Sequence, residues 1–89
     1  MQPNGVTDSN VLGTIRELTE GEKAVGINFN PGGDSKVNEV KALYAKIIDL
    51  LIEEKNKPTT EQKESKFDIA IMETQTSQMW AVKAITYQY

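Results

Sequence analysis

The sequence predicts an all-α protein in which a short helix precedes an antiparallel helical hairpin, and in which several copies assemble into a homo-oligomeric bundle. Apolar residues recur at steps of three and four from residue 35 to about residue 55, which is the spacing of one helix face. The tripeptide Asn-Lys-Pro at 56–58 ends this pattern, and a second helical stretch follows over about 60–86. A connection this short makes two helices antiparallel neighbours.

Length and composition limit the function classes. A chain of 89 residues with 38% apolar residues supplies one domain with a small core. Most apolar residues lie in the second half of the chain, so we expect the helices there to complete their burial against partner chains. The net charge of −3 argues against binding to DNA or RNA, which needs a basic face.

The chain contains neither cysteine nor histidine. This excludes a thiol nucleophile and a cysteine-ligated zinc, and it removes the commonest general base and metal ligand. We therefore expect a binding or structural protein rather than an enzyme, without a metal or cofactor. No apolar run approaches the ~20 residues of a membrane span, so we also expect no membrane partner and an intracellular location.

The N-terminal part divides at residue 18. Residues 1–18 are predicted to be a flexible arm, because the first part is rich in Asn, Gly, Asp, Ser and Pro. The helical domain is predicted to span residues 19–89. Thr19 and Glu22 have the spacing of a capping box and Gly26 is a suitable stop, which together predict a short helix followed by an extended segment. The alternative is a strand through three alternating residues, Val25, Ile27 and Phe29.

A Pro-Gly-Gly turn leads into the first long helix. Pro31 fixes its own φ, while Gly32 and Gly33 permit positive φ and a close approach of the backbone. Asp34 or Ser35 can cap the helix that follows. Amides at such a helix start suit a phosphate, although the Asp34 carboxylate opposes an anion. The alternative is an ordinary loop-to-helix cap.

The first long helix is predicted to bury one stripe of apolar residues: Val37, Val40, Tyr44, Ile47, Ile48 and Leu51. Lys41 is predicted to lie at the border of this stripe. Two interpretations of Lys41 remain open, a ligand-binding cation or a lysine whose stem lies on the stripe while its ammonium is solvated.

The second long helix is predicted to start with a capping box formed by Thr59 and Gln62. Apolar clusters at 67–72 and 79–85 surround it on most sides, so one partner helix cannot cover it and we expect self-association. The uncharged polar residues at 74–78 indicate a buried hydrogen-bonded layer or the wall of a polar site. Alternatively they only fix the register of a packed bundle. Residues 87–89 are predicted to be a terminal tail.

Three motifs resemble a known family. They are Phe-Asn-Pro-Gly-Gly-Asp at 29–34, Asn-Glu-Val-Lys at 38–41 and Gln-Met-Trp-Ala-Val-Lys-Ala at 78–84. They are similar to the hairpin domain of phage anti-CBASS and Thoeris anti-defence proteins, and most similar to the anti-CBASS protein two branch, over about residues 19–86. The resemblance implies a phage-encoded homohexamer in the host bacterial cytoplasm. Such a protein sequesters cyclic dinucleotides and, at separate sites, cyclic trinucleotides. It blocks antiviral signalling without cleaving these nucleotides.

The resemblance also implies roles for individual residues. Lys41 corresponds to the family's phosphate-contacting lysine. Alignment on Arg-Glu-Leu-Thr at 16–19 puts Ile15 at the place of the stacking tyrosine, whereas spacing to Lys41 puts Phe29 there. We select Phe29 because stacking needs a π-face. The implied ligand residues are Phe29, Asn30, Gly32, Gly33, Ser35, Lys41 and Thr74.

Two consequences of the resemblance concern variants and a second site. A Lys41→Glu exchange is expected to abolish dinucleotide binding and leave the fold intact, because Lys41 borders the apolar stripe. The family's trinucleotide site uses an arginine whose place falls near Ile71 or Glu73 here, so backbone amides and Thr74 or Thr76 would have to serve instead. The alternatives to a nucleotide-binding protein are a structural helical oligomer and an inhibitor that masks a host protein.

Overall fold

The computed structural model describes residues 16–89. Within these residues there are three helices and no strand: α1 (Glu20–Val25), α2 (Ser35–Lys55) and α3 (Glu61–Thr86). The predicted all-α class is confirmed. The predicted arm lies mostly outside the described residues, and so does Ile15.

The capping box predicted for α1 is present. The Thr19 hydroxyl accepts the Glu22 backbone N–H at 3.0 Å, and the Glu22 carboxylate accepts the Thr19 N–H at 2.8 Å. Gly26 ends the helix in the left-handed region, with φ 63°. The strand alternative is wrong, and so is the extended segment after the helix. Ile27 donates its N–H back to the Glu22 carbonyl at 3.0 Å, which makes this segment a turn.

Arg16 connects the segment before α1 to the helix. Its guanidinium donates two parallel hydrogen bonds to the Glu22 carboxylate, at 2.8 and 2.7 Å. These bonds, together with the Thr19 N–H, lower the pKa of Glu22 from its ordinary value of 4.5 to about 2. Residue 16 is therefore held against α1, although it falls within the predicted arm.

α1 packs directly onto the backbone of α2 at Gly21. A Cβ at this position would lie 2.1 Å from the Ala45 carbonyl oxygen, so no larger side chain fits without a backbone shift. The Gly21 N–H also donates to the Asp49 carboxylate at 2.7 Å. This contact fixes where the turn after α1 lies relative to α2.

The observed caps of the two long helices are the predicted ones, except at the start of α3. Asp34 caps α2 by accepting an amide hydrogen bond of 2.8 Å from the first turn. The predicted Thr59 cap of α3 is wrong, because the neighbouring Thr60 has the extended backbone of a cap and accepts the Lys63 N–H at 3.2 Å. Thr59 and Thr60 each carry a hydroxyl that can cap a helix, and in the structure Thr60 is the cap.

α2 and α3 lie side by side. The Tyr44 hydroxyl, in the middle of α2, is 2.7 Å from the Ser77 hydroxyl of α3. Lys55, the last residue of α2, forms an ion pair with Asp68 near the beginning of α3. The core between the helices is small and consists of Val25, Ala45 and Ile48, with Ile27, Tyr44, Ile52 and Ile71 packed against it.

The buried row of α2 differs from the predicted stripe. The buried residues are Val37, Lys41, Ala45 and Ile48, at steps of four, four and three. Lys41 is 4% exposed, so its predicted position at the border of the stripe is wrong. Ile47 is 47% exposed and points away from the core with Leu43 and Leu50. The true row is rotated toward the side that meets α1 and the turn after it.

α3 is mostly exposed in the single chain. Its one buried residue is Gln78, in the predicted polar layer. We use the term exposed apolar face of α3 for Ile69, Met72, Met79 and Trp80. Over residues 16–89, no helix has both the length and the apolar character needed to cross a membrane.

Candidate functional site

Lys41 is the organising residue of the candidate site. It extends from the buried row of α2 to the turn after α1, where its ammonium donates to the carbonyl oxygens of Gly26, at 3.0 Å, and Phe29. None of the ion pairs among residues 16–89 includes Lys41. Within the described residues, the ammonium of this mostly buried side chain is thus bonded only to neutral carbonyls.

The ammonium of Lys41 retains hydrogen-bonding capacity. A lysine carries three N–H donors, and two are used by the turn. A buried charge without an opposite charge is unfavourable, because the carbonyls replace only part of its lost hydration. Lys41 also lines a cleft. An anion entering this cleft would supply both an acceptor for the third donor and the missing negative charge.

Phe29 presents an aromatic surface beside this charge. Its ring centroid is 5.6 Å from the Lys41 ammonium nitrogen, which is within cation–π distance. Phe29 is 72% exposed although its backbone is fixed, since its N–H donates to the Gly26 carbonyl at 2.8 Å. An exposed ring on a fixed backbone is available for stacking against a planar group.

The turn that carries Phe29 is held by side-chain hydrogen bonds. The amide of Asn30 donates to the Asp34 carbonyl at 2.8 Å and to the Asn38 side chain at 2.9 Å. The Gly33 N–H donates to the Asn30 carbonyl at 3.0 Å, and Gly33 has φ 70°, which suits glycine. The loop is therefore fixed from both ends before any ligand binds.

The cleft has a volume of about 470 Å³, within the roughly 300–1,000 Å³ typical of small-molecule sites. We call it the Lys41 cleft. Four of the predicted ligand residues line it: Phe29, Asn30, Gly32 and Lys41. Its other wall comes from the C-terminal end of α3 and the residues after it: Val82, Ile85, Thr86, Tyr87 and Gln88.

Three predicted ligand residues do not line the Lys41 cleft: Gly33, Ser35 and Thr74. The Gly33 amide is already bonded within the turn. The Thr74 hydroxyl donates to the Ala70 carbonyl of its own helix at 2.6 Å. Asp34 does line the cleft and places a carboxylate at the start of α2. The cation, rather than the amides of the turn, is therefore the better partner for an anion.

The C-terminal wall is the part of the site that sequence reasoning missed. The sequence indicated only a tail at 87–89, and no motif connects Tyr87 with residues 29–41. One available signal was the presence of two tyrosines after the last polar residue of α3, since exposed aromatic residues often belong to binding surfaces.

Comparisons with models of known protein families, with curated proteins and with solved structures find no match for this chain. Its site is therefore interpreted from its own geometry. Among residues 16–89, no three acidic, histidine or cysteine side chains are grouped as a metal site would require. The cleft combines one buried lysine, two exposed aromatic residues (Phe29 and Tyr87) and an apolar wall, a set of groups suited to an anion that carries an aromatic ring.

Proposed function

We propose that the protein is a phage-encoded sponge that binds cyclic dinucleotides, such as 3′,3′-cyclic GMP–AMP, and withholds them from a bacterial antiviral system. The observation that carries this proposal is the mostly buried Lys41, whose ammonium is bonded only to carbonyls within residues 16–89, beside the exposed side chain of Phe29. A phosphate accepts from the ammonium, and a nucleobase stacks on the ring.

The proposed functional unit is a homo-oligomer of antiparallel hairpins, and the resemblance favours a hexamer. The exposed apolar face of α3 supports this proposal, because Trp80 alone is 68% exposed in the single chain and contact with another subunit would cover it. An isologous dimer presents two copies of every group. Two Lys41 ammoniums and two Phe29 rings match a ligand that has two phosphates and two bases.

We further propose that the ligand is released unchanged. The chain has no histidine or cysteine, so the usual side chains that activate water or attack phosphorus are missing. Reversible binding needs only affinity and a sufficient amount of protein.

The second candidate function is that of a helical oligomer without a nucleotide ligand, which acts structurally or by covering a host protein. The exposed apolar faces of α2 and α3 favour it equally, since both functions use them. The Lys41 cleft separates the two candidates, because an oligomer alone does not require a buried cation in a cleft.

Calorimetric titration with 3′,3′-cyclic GMP–AMP tests the proposal. We expect binding by the unaltered protein and by Phe29→Tyr, which keeps the ring. Binding by Phe29→Leu should be about 5- to 150-fold weaker, because base stacking contributes ~1–3 kcal/mol. If the unaltered protein gives no heat with cyclic dinucleotides, the sponge is excluded and the oligomer without ligand is favoured.

The fate of the ligand is tested on the same complex. After binding, the protein is denatured by heat and the nucleotide is analysed by chromatography. Intact cyclic dinucleotide supports sequestration. Linear dinucleotide or mononucleotides would identify the protein as an enzyme and refute this part of the proposal.

A further inference from the structure

We propose that Tyr87 is a second base-stacking residue of the Lys41 cleft, so that a nucleobase is held between Phe29 on the loop and Tyr87 at the end of α3. This inference rests on the proposed function and extends it to the C-terminal wall. It assigns a ligand contact to a segment that the sequence indicated only as a tail.

The first observation is the position of Tyr87. It is the C-cap of α3 and lines the same cleft as Phe29 and Lys41. Its N–H donates to the Ala84 carbonyl at 3.4 Å, which carries the hydrogen bonding of α3 up to Tyr87. The ring is 62% exposed. The cleft therefore has an exposed aromatic ring in its loop wall and another in its C-terminal wall.

The second observation is that the Tyr87 ring has an aromatic neighbour and still stays exposed. Tyr89 lies edge to face with it, with ring centroids 5.7 Å apart and planes inclined at 73°, a favourable arrangement for two aromatic rings. Tyr89 is itself fully exposed and Tyr87 is 62% exposed. This contact therefore leaves Tyr87 accessible to a ligand.

The third observation is the apolar character of the wall to which Tyr87 belongs. Val82 and Ile85, on the last turns of α3, line the cleft together with Val37 of α2. A nucleobase has apolar faces and a polar edge, so its faces suit a wall of aromatic and aliphatic side chains. The charge needed for its phosphate lies elsewhere in the cleft, on Lys41.

A purely structural role predicts a different outcome from stacking. If Tyr87 only covers the apolar ends of Val82 and Ile85, leucine should replace it without loss of ligand. If it stacks on a base, phenylalanine should replace it and leucine should not, because only an aromatic ring offers a π-face. The comparison of Tyr87→Phe with Tyr87→Leu therefore separates the two roles.

The experiment titrates the full-length protein and these variants with a cyclic dinucleotide that contains 2-aminopurine, whose fluorescence is quenched by stacking. We expect strong quenching and unchanged affinity for Tyr87→Phe. For Tyr87→Leu we expect weaker quenching and about 5- to 150-fold weaker binding, the equivalent of ~1–3 kcal/mol for one stacked base. Thermal unfolding verifies that each variant is folded, and Tyr87→Gln replaces Tyr87→Leu if the latter aggregates.

The outcomes separate this inference from the proposed function. If the unaltered protein binds and Tyr87→Leu shows the same affinity and quenching, Tyr87 does not stack, while the sponge stands. If the unaltered protein binds no cyclic dinucleotide, both are refuted. If Tyr87→Leu weakens binding and reduces quenching while Tyr87→Phe does neither, Tyr87 stacks on a base of the ligand.

Discussion

Replacement of Lys41 tests the site and the fold together. The ammonium makes hydrogen bonds to the carbonyls of Gly26 and Phe29 from a position that is 4% exposed. In Lys41→Glu a carboxylate would face these two carbonyl oxygens with no donor between them. In Lys41→Met the apolar stem is retained and only the donors are lost.

The structure sets the expected magnitudes. A hydrogen bond from a charged donor contributes ~1.5–3 kcal/mol, but water can partly replace the ammonium at carbonyls of exposed residues. We therefore expect Lys41→Met to lower the free energy of unfolding by about 1–3 kcal/mol. Lys41→Glu also loses these donors and in addition buries a carboxylate against two carbonyl oxygens, so we expect a loss of about 3 kcal/mol or more. The sequence predicted that Lys41→Glu keeps its fold, whereas the burial of Lys41 predicts a destabilised variant.

Urea unfolding followed by circular dichroism measures these losses, at one fixed protein concentration because association would shift the midpoint. Lys46→Glu is the matched control. It makes the same exchange on an exposed position of α2 and should change the free energy of unfolding by less than about 0.5 kcal/mol. If Lys41→Glu is as stable as this control, the ammonium is not bonded to the turn and the reasoning about the site is wrong.

Three further predictions concern the fold and the assembly. Gly21→Ala should lower the free energy of unfolding by about 1–3 kcal/mol or more in urea titrations, whereas Gly32→Ala, with nothing within 4 Å of an added Cβ, should lower it far less. The Glu22 pKa is depressed to about 2, so the contribution of Glu22 to stability is complete above pH 4.5 and is lost as the pH falls toward 2. Between pH 4.5 and pH 2, the urea midpoint of Glu22→Gln should therefore fall less than that of the unaltered protein. Trp80→Glu places a charge in the exposed apolar face of α3 and should reduce the molar mass measured by light scattering. A molar mass equal to that of the unaltered protein would exclude this face from the proposed interface.

Local patterns predicted the elements well. The capping box of Thr19 and Glu22 and the period of α2 depend on residues within one or two turns, so their effect is visible in the sequence. The cap of α3 was displaced by one residue, because Thr59 and Thr60 carry the same hydroxyl and only the backbone angles select between them.

The site was less accessible to sequence reasoning, because its defining contacts are tertiary. The period of α2 placed Lys41 beside the apolar stripe, but its burial depends on carbonyls of a turn 12 and 15 residues earlier. Every residue has a backbone carbonyl, so the sequence does not indicate which carbonyls a lysine will contact. Tyr87 reaches the cleft because α3 packs beside α2, so no local pattern in the sequence indicates its position there.

The hydrogen bonds of Lys41 have a consequence for how the site can evolve. Its partners are backbone oxygens, and these remain in place whatever side chain position 29 carries. A mutation of Phe29 can therefore alter what the cleft accepts without releasing the ammonium, whereas a mutation of Lys41 disturbs the loop itself. Natural substitutions that change which ligand the cleft binds should therefore occur at the exposed aromatic residues, while Lys41 stays constant.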